Sequence, residues 1–149
     1  MEIRKFKEKD KASVEEIFSK YWNDPTFLKE LSSELNENPS NFYVAEDHSE
    51  IVGIVGYKNI PDYLKKFAKT PNPVELYIIA SKHIRRGIGK ILKSKIVKVA
   101  KYKGFSEILL FSPRTHNNSW EFHDTLNFQR LGEVTPPNDE IGYVWSRDL

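Results

Sequence analysis

"VELYIIASKHIRRGIGKILKSKIVKVAKYKGFSEILLF", residues 74–111, decides how this chain folds. Val74 to Ile79 is a β-rich run. Ile88, Ile91, Leu92, Ile96, Val99 and Ala100 then recur at helical spacing, and Gly104 stands where a helix C-cap favours a left-handed residue. Phe105 to Phe111 is a second β-rich run. The three pieces predict a βαβ unit, with two parallel strands joined by a crossover helix over 87–103. Between the first strand and the helix lies an elbow that carries Arg85, Arg86, Gly87, Gly89 and Lys90.

Working outward, Ile3 and Phe6 alternate with charged residues and predict a short opening strand. Val14, Ile17, Phe18, Tyr21 and Trp22 share one helical face behind a candidate N-cap at Asp10. Phe27, Leu28, Leu31 and Leu35 repeat that spacing from Pro25 until Asn38-Pro39 stops it. Phe42 to Ala45 and Ile51 to Tyr57 read as a hairpin across the polar stretch 46–50, with Gly53 and Gly56 marking close backbone approach or a bulge. Residues 58–73 read as a proline-containing loop with at most a short turn at Tyr63-Leu64-Phe67. Downstream, a short helix is expected over Asn117 to Leu126, with Trp120, His123 and Leu126 on one side. Two more strands are expected at Phe128 to Val134 and Ile141 to Trp145. The expected fold is α/β (α+β): a mixed, mostly antiparallel central sheet of about six to seven strands with helices on both faces, one domain over residues 1–149.

Composition narrows the function. The chain has 149 residues, 30% of them charged, a net charge of +2 and no cysteine. Disulfides, thiolate metal sites and a cysteine nucleophile are therefore excluded. No apolar run approaches the roughly 18 residues that a membrane helix needs. The N-terminus becomes charged at once, at Glu2, Arg4 and Lys5, which predicts a cytoplasmic protein. The charge is too small to imply nucleic acid without a clustered patch. Lys90, Lys93, Lys95, Lys98, Lys101 and Lys103 are read as the solvated side of the crossover helix, not a nucleic-acid face. His116 and His123 lack a third ligand at useful spacing, so no metal is expected.

The elbow has the ingredients of an anion site: a helix N-terminus with free N–H groups and a positive dipole end, glycines that admit a ligand to the backbone, and basic side chains suited to phosphate. A Walker loop would need GxxxxGK followed by Ser or Thr, and a dinucleotide fingerprint a glycine where Leu92 stands. Neither is present.

The stretch resembles the acyl-coenzyme A motif of the GNAT superfamily of N-acetyltransferases, Gln/Arg-x-x-Gly-x-Gly/Ala, with Gly87 and Gly89 at the small positions. Ile84 takes the Gln/Arg position, a departure with Arg85 and Arg86 beside it. The order of elements is similar to the GNAT fold over essentially the whole chain. Asn117 to Phe128 resembles the family's Asn-x-x-Ala-x-x-Phe-Tyr-x-x-x-Gly-Phe signature: aligned on Phe128, Ser119 takes the small position, His123 the tyrosine and Asn127, an acceptable left-handed residue, the glycine, while the family's asparagine falls at His116, a departure with Asn117 one residue later.

The resemblance implies acetyl-coenzyme A as acyl donor, an amine acceptor, no nucleic-acid or membrane partner, and room for a homodimer. It implies a cofactor site drawn from Ile79, Ala80, Ile84, Arg85, Arg86, Gly87, Ile88, Gly89, Lys90 and Asn117. Acetyl transfer needs a neutral amine, a stabilised tetrahedral oxyanion and a proton for the departing thiolate. A backbone N–H at Ile79 or Ala80 would meet the second need, and His123 the third, an imidazole being able to donate near neutral pH. Glu75, the one carboxylate of its strand, is the candidate base through water. His123 also reads as a packed core histidine, and Glu75 as a residue facing solvent or paired with an arginine. Tyr21, Trp22 and Phe27 line an acceptor cleft or complete the core, while Asp24, Glu30 and Glu34 either attract a cationic amine or are plain surface charge. The competing reading is a GNAT-like module that binds acyl-coenzyme A without turnover.

Overall fold

The fold is described from a computed structural model, over residues 1–84 and 86–149. Seven strands form one sheet in the order β1-β2-β3-β4-β5-β7-β6. They are β1 (Glu2–Lys5), β2 (Phe42–Asp47), β3 (Glu50–Asn59), β4 (Pro73–Ser81), β5 (Glu107–Pro113), β6 (Gln129–Val134) and β7 (Gly142–Asp148). The helices are α1 (Lys11–Tyr21), α2 (Pro25–Glu37), α3 (Asp62–Lys65), α4 (Ile88–Tyr102) and α5 (Trp120–His123). β4 and β5 are parallel, in register from Pro73 opposite Glu107 to Glu75 opposite Leu109, as the βαβ reading requires. The β1–β2, β2–β3, β5–β7 and β6–β7 pairs are antiparallel. The expected mixed, mostly antiparallel architecture is thus present. No helix among the described residues is long and apolar enough to cross a membrane.

Backbone contacts divide the chain into two compact units, residues 1–57 with 78–95, and residues 58–77 with 96–149. In the first, Val14, Ile17 and Phe18 of α1 and Leu31 and Leu35 of α2 are buried, the faces that helical spacing assigns to them. Asp24 caps α2 by accepting from Thr26 N at 3.0 Å. Asp10 stands at the N-cap position of α1 as expected, but its side chain makes no cap hydrogen bond: the buried carboxylate accepts from both Arg4 Nη atoms at 2.8 and 3.0 Å and from Lys7 N at 2.9 Å. An ion pair with β1 offers it more than an orphan N–H of its own helix does. The β2–β3 hairpin turns on His48 and Ser49 alone, both at positive φ, so the turn is tighter than the polar stretch suggests. Gly53 and Gly56 are sites of close approach: a Cβ on Gly53 would lie 2.7 Å from Leu92 Cδ1, and one on Gly56 2.5 Å from the Phe42 ring.

In the second unit, alternate residues of β7 face opposite sides. Val144 packs with Leu64 of α3, Leu109 and Val134, whereas Trp145 lies 5.8 Å from Trp120 of α5. Residues 58–73 are more ordered than a loop. β3 extends to Asn59, α3 buries Leu64 completely, and the buried carboxylate of Glu107 fastens the segment that leaves α3. Its Oε1 accepts from Lys69 N at 2.7 Å, Thr70 N at 2.9 Å and Thr70 Oγ1 at 2.9 Å. The helix expected over 117–126 is shorter, a 3₁₀ segment Arg114–Ser119 followed by α5. Leu126 and Asn127 both take positive φ, so Asn127 fills the left-handed role assigned to it and Leu126 leaves the helical face.

Candidate functional site

The first unit builds the elbow. β4 ends at Ser81, whose carbonyl accepts from Tyr21 Oη at 2.5 Å; the next carbonyl, of Lys82, accepts from Lys20 Nζ at 2.5 Å. Lys82 N donates to Val52 O at 2.8 Å, and its ammonium pairs with Glu50. That contact holds the Glu50 carboxyl below and the Lys82 ammonium above their ordinary values. Gly87, at φ +76°, turns the chain into α4, and Ile91 N closes the first helical bond onto Gly87 O at 3.3 Å. Ile88, Gly89 and Lys90 are the opening helical residues, whose N–H groups have no acceptor within a helix. No acidic residue stands in that first turn. A Cβ built on Gly87 meets nothing within 4 Å. The elbow is thus a set of helix-start donors beside open space, with Arg86 and Lys90 exposed at its edge. That arrangement suits a phosphate ester.

Other predicted residues fall around it unevenly. Ile88 is buried and anchors the helix start, Ala80 is buried, and Ile79 is half-buried on β4. Ile84 is 66% exposed, an apolar side chain in solvent where the motif would place Gln or Arg. Arg85 lies outside the described residues. Lys93 departs from its reading: it is fully buried, whereas Ile91, assigned to the apolar stripe, is exposed.

Asn117, Glu75 and His123 belong to the second unit. Asn117 is exposed on the 3₁₀ segment. Glu75 is buried on β4 opposite Leu109, so it does not face solvent. His123 is buried at the end of α5, its ring 5.1 Å from that of Trp145 and its Nε2 3.4 Å from Ser119 Oγ. The Ser119 hydroxyl donates to His116 O at 2.8 Å, which leaves its lone pairs for the imidazole. Trp145 is itself fixed: its Nε1 donates to Asp124 Oδ1 at 2.9 Å, and Arg130 grips both Asp124 oxygens from Nε at 2.9 Å and Nη2 at 3.0 Å. The Arg130 guanidinium, and after it the Trp145 N–H, holds the Asp124 carboxyl below the usual carboxylate range. Trp120, Tyr143 and Trp145 surround that guanidinium, each ring centre within about 6 Å of it. Sequence reading misses this support, since Asp124, Arg130 and Trp145 share no periodicity. The one available signal is local, an acidic residue directly after the candidate histidine.

Known proteins resemble the chain at both levels. The family model described as Acetyltransferase (GNAT) family matches residues 11–128. Human N-acetyltransferase 8 is 27% identical over 130 residues, covering 83% of this chain and 53% of that protein, so the chain spans about half the length of this relative. Among solved structures, Ard1 from Thermoplasma volcanium superposes with a TM-score of 0.80 at 16% identity, over 99% of this chain and 97% of that one. The PaiA N-acetyltransferase from Thermoplasma acidophilum, solved with coenzyme A, gives 0.69 at 17% identity, over 99% and 98%. These two likenesses are of fold. With the family model covering most of its length, the elbow's residues inside the match, and the strand order in place, the chain belongs to the acetyltransferase (GNAT) family.

Proposed function

We propose that this chain is an N-acetyltransferase that moves an acetyl group from acetyl-coenzyme A to a primary amine of a small molecule or peptide, by direct attack in a ternary complex. The observation that carries the reading is the elbow, where the helix-start donors of α4 stand beside open space at Gly87, in a chain of the acetyltransferase family. The solved neighbour with coenzyme A supports the choice of donor.

In this reading the N–H groups of Ile88, Gly89 and Lys90, with Arg86 and Lys90 as cations, hold the pyrophosphate, and Ile84 flanks them. The amine nitrogen attacks the thioester carbonyl carbon, and a backbone N–H at Ile79 or Ala80 bonds the tetrahedral oxyanion. The C–S bond breaks, and sulfur takes a proton from His123, whose ring is oriented by Ser119 and Trp145. The amine proton leaves to Glu75 through water.

The test is calorimetric binding of coenzyme A and acetyl-coenzyme A, followed by thiol release against a panel of peptide N-termini, lysine peptides and small amines. Binding with amine-dependent thiol release is expected. His123→Ala should lower kcat by about 10²-fold or more at unchanged cofactor affinity, the scale of general-acid catalysis. No affinity for either coenzyme A form would overturn the reading. Binding without release across the panel would leave the non-catalytic module instead.

A further inference from the structure

We propose that Tyr21, seconded by Lys20, is a positioning residue for the elbow: the last turn of α1 holds the peptide group from which the elbow springs, so that the helix start is set before a cosubstrate arrives. The inference rests on the elbow being the cofactor cradle. Its basis is the peptide group joining Ser81 to Lys82. The C=O of that group accepts from Tyr21 Oη at 2.5 Å, and its N–H donates to Val52 O at 2.8 Å. A peptide plane bonded at both ends cannot rotate without breaking two hydrogen bonds. The next two carbonyls are occupied as well, that of Lys82 by Lys20 Nζ at 2.5 Å and that of His83 by Ser81 Oγ at 3.1 Å. Three successive carbonyl oxygens, the atoms most repellent to phosphate, are therefore committed to side chains.

Tyr21 is built for the task. It is half-buried, with its ring 6.0 Å from that of Trp22, and Trp22 meets Phe18 at 6.0 Å and Phe27 at 5.7 Å in edge-to-face contacts. Burial pushes its phenol above the ordinary value, so the hydroxyl keeps its proton and remains a donor. Lys20 is exposed and reaches its carbonyl from solvent, which makes it the lesser tether.

The experiment compares the unmodified protein with Tyr21→Phe and with Lys20→Met by three readouts: the thermal midpoint of the free protein, calorimetric Kd for coenzyme A and acetyl-coenzyme A, and hydrogen exchange over residues 81–91. For Tyr21→Phe we expect roughly three- to tenfold weaker binding of both forms, the scale of one lost hydrogen bond. Exchange should quicken in that segment while the midpoint stays within about 2 °C. Lys20→Met should move the same readouts by a smaller factor. Binding within twofold of the unmodified protein, or unaltered exchange, overturns the proposal. A lowered midpoint with unchanged Kd overturns it too, by showing a tether that serves stability alone. If the unmodified protein binds neither form, the cofactor reading fails and takes this one with it, a result distinct from the others.

Discussion

Gly87 and Gly104 are a matched pair that separates a turn from a ligand cradle. Both stand at ends of α4, at φ +76° and +85°, and a Cβ on either meets nothing within 4 Å. Gly→Ala at each site therefore brings no clash in the free protein. The cost is conformational, roughly 1–2 kcal/mol for an L-residue in the left-handed region. About 0.4–1 kcal/mol of it is offset by the stiffer unfolded chain. At about 2–4 °C per kcal/mol for a chain of this size, both variants should lose at most about 6 °C in thermal midpoint. That penalty is present with and without ligand, so it cancels from a binding constant. The affinities should then diverge. At Gly87 the added methyl occupies the space beside the helix-start N–H groups, and losing one hydrogen bond to a charged phosphate costs about 1.5–3 kcal/mol, or about 10- to 150-fold in Kd for coenzyme A. Gly104→Ala should leave Kd within twofold. Calorimetry on both variants, with thermal melts alongside, is the assay. Equal affinities for the two variants would refute the reasoning and reduce Gly87 to a turn.

Gly142→Ala differs in kind, because its Cβ would fall 2.2 Å from Ser112 O and 2.7 Å from Pro113 Cα, both backbone atoms. The β5–β7 ladder must part there, so stability in urea titrations should fall by about 1–3 kcal/mol or more, beyond either glycine variant of α4. Asp10→Asn should cost about 2–3 kcal/mol in the same assay, less than a fully buried pair because Arg4 keeps Glu46 at 3.2 Å. Arg4 depresses the Asp10 carboxyl, so its contribution is complete above the ordinary value of 3.8 and is lost as pH falls through its lower folded value. Urea titrations at descending pH should therefore show a flatter acid loss in Asp10→Asn than in the unmodified protein. Glu107→Ala leaves Lys69 N and Thr70 N without their acceptor, and exchange of those two amides should quicken on the order of tenfold. Unaltered exchange there would mean that α3 alone orders the segment.

Periodicity makes most of the sheet and the long helices legible, because each buries one face and the burial selects residue types at a fixed repeat. The same rule explains the error on α4. Lys93 lies three residues before Ile96, four before Val97 and seven before Ala100, all buried, so its position belongs to the apolar stripe even though its residue type does not. Grouping it with the other lysines by type overrides the spacing, and grouping by type draws Ile91 into the stripe in the same way. A long aliphatic stem lets lysine occupy such a position with only its head group to be satisfied.

The site divides along sequence distance. Gly87, Ile88, Gly89 and Lys90 are contiguous, and a helix start is a local structure whose donors come from the chain itself, so the elbow can be read without a fold. Side-chain contacts between distant residues, within either unit, cannot. Tyr21 meets Ser81 across 60 residues, and Trp145 meets Asp124 across 21. Neither pair leaves a repeat, because a single hydrogen bond fixes one atom and not a face. Aromatic spacing at Tyr21 and Trp22 announces only that a helix has an inner side. Whether a ring there fills space or extends a hydroxyl to a distant carbonyl depends on which strand end the fold brings within reach. Donors that the backbone must present are therefore predictable from a motif, whereas the side chains that hold a motif in one geometry become visible only once the strands are paired.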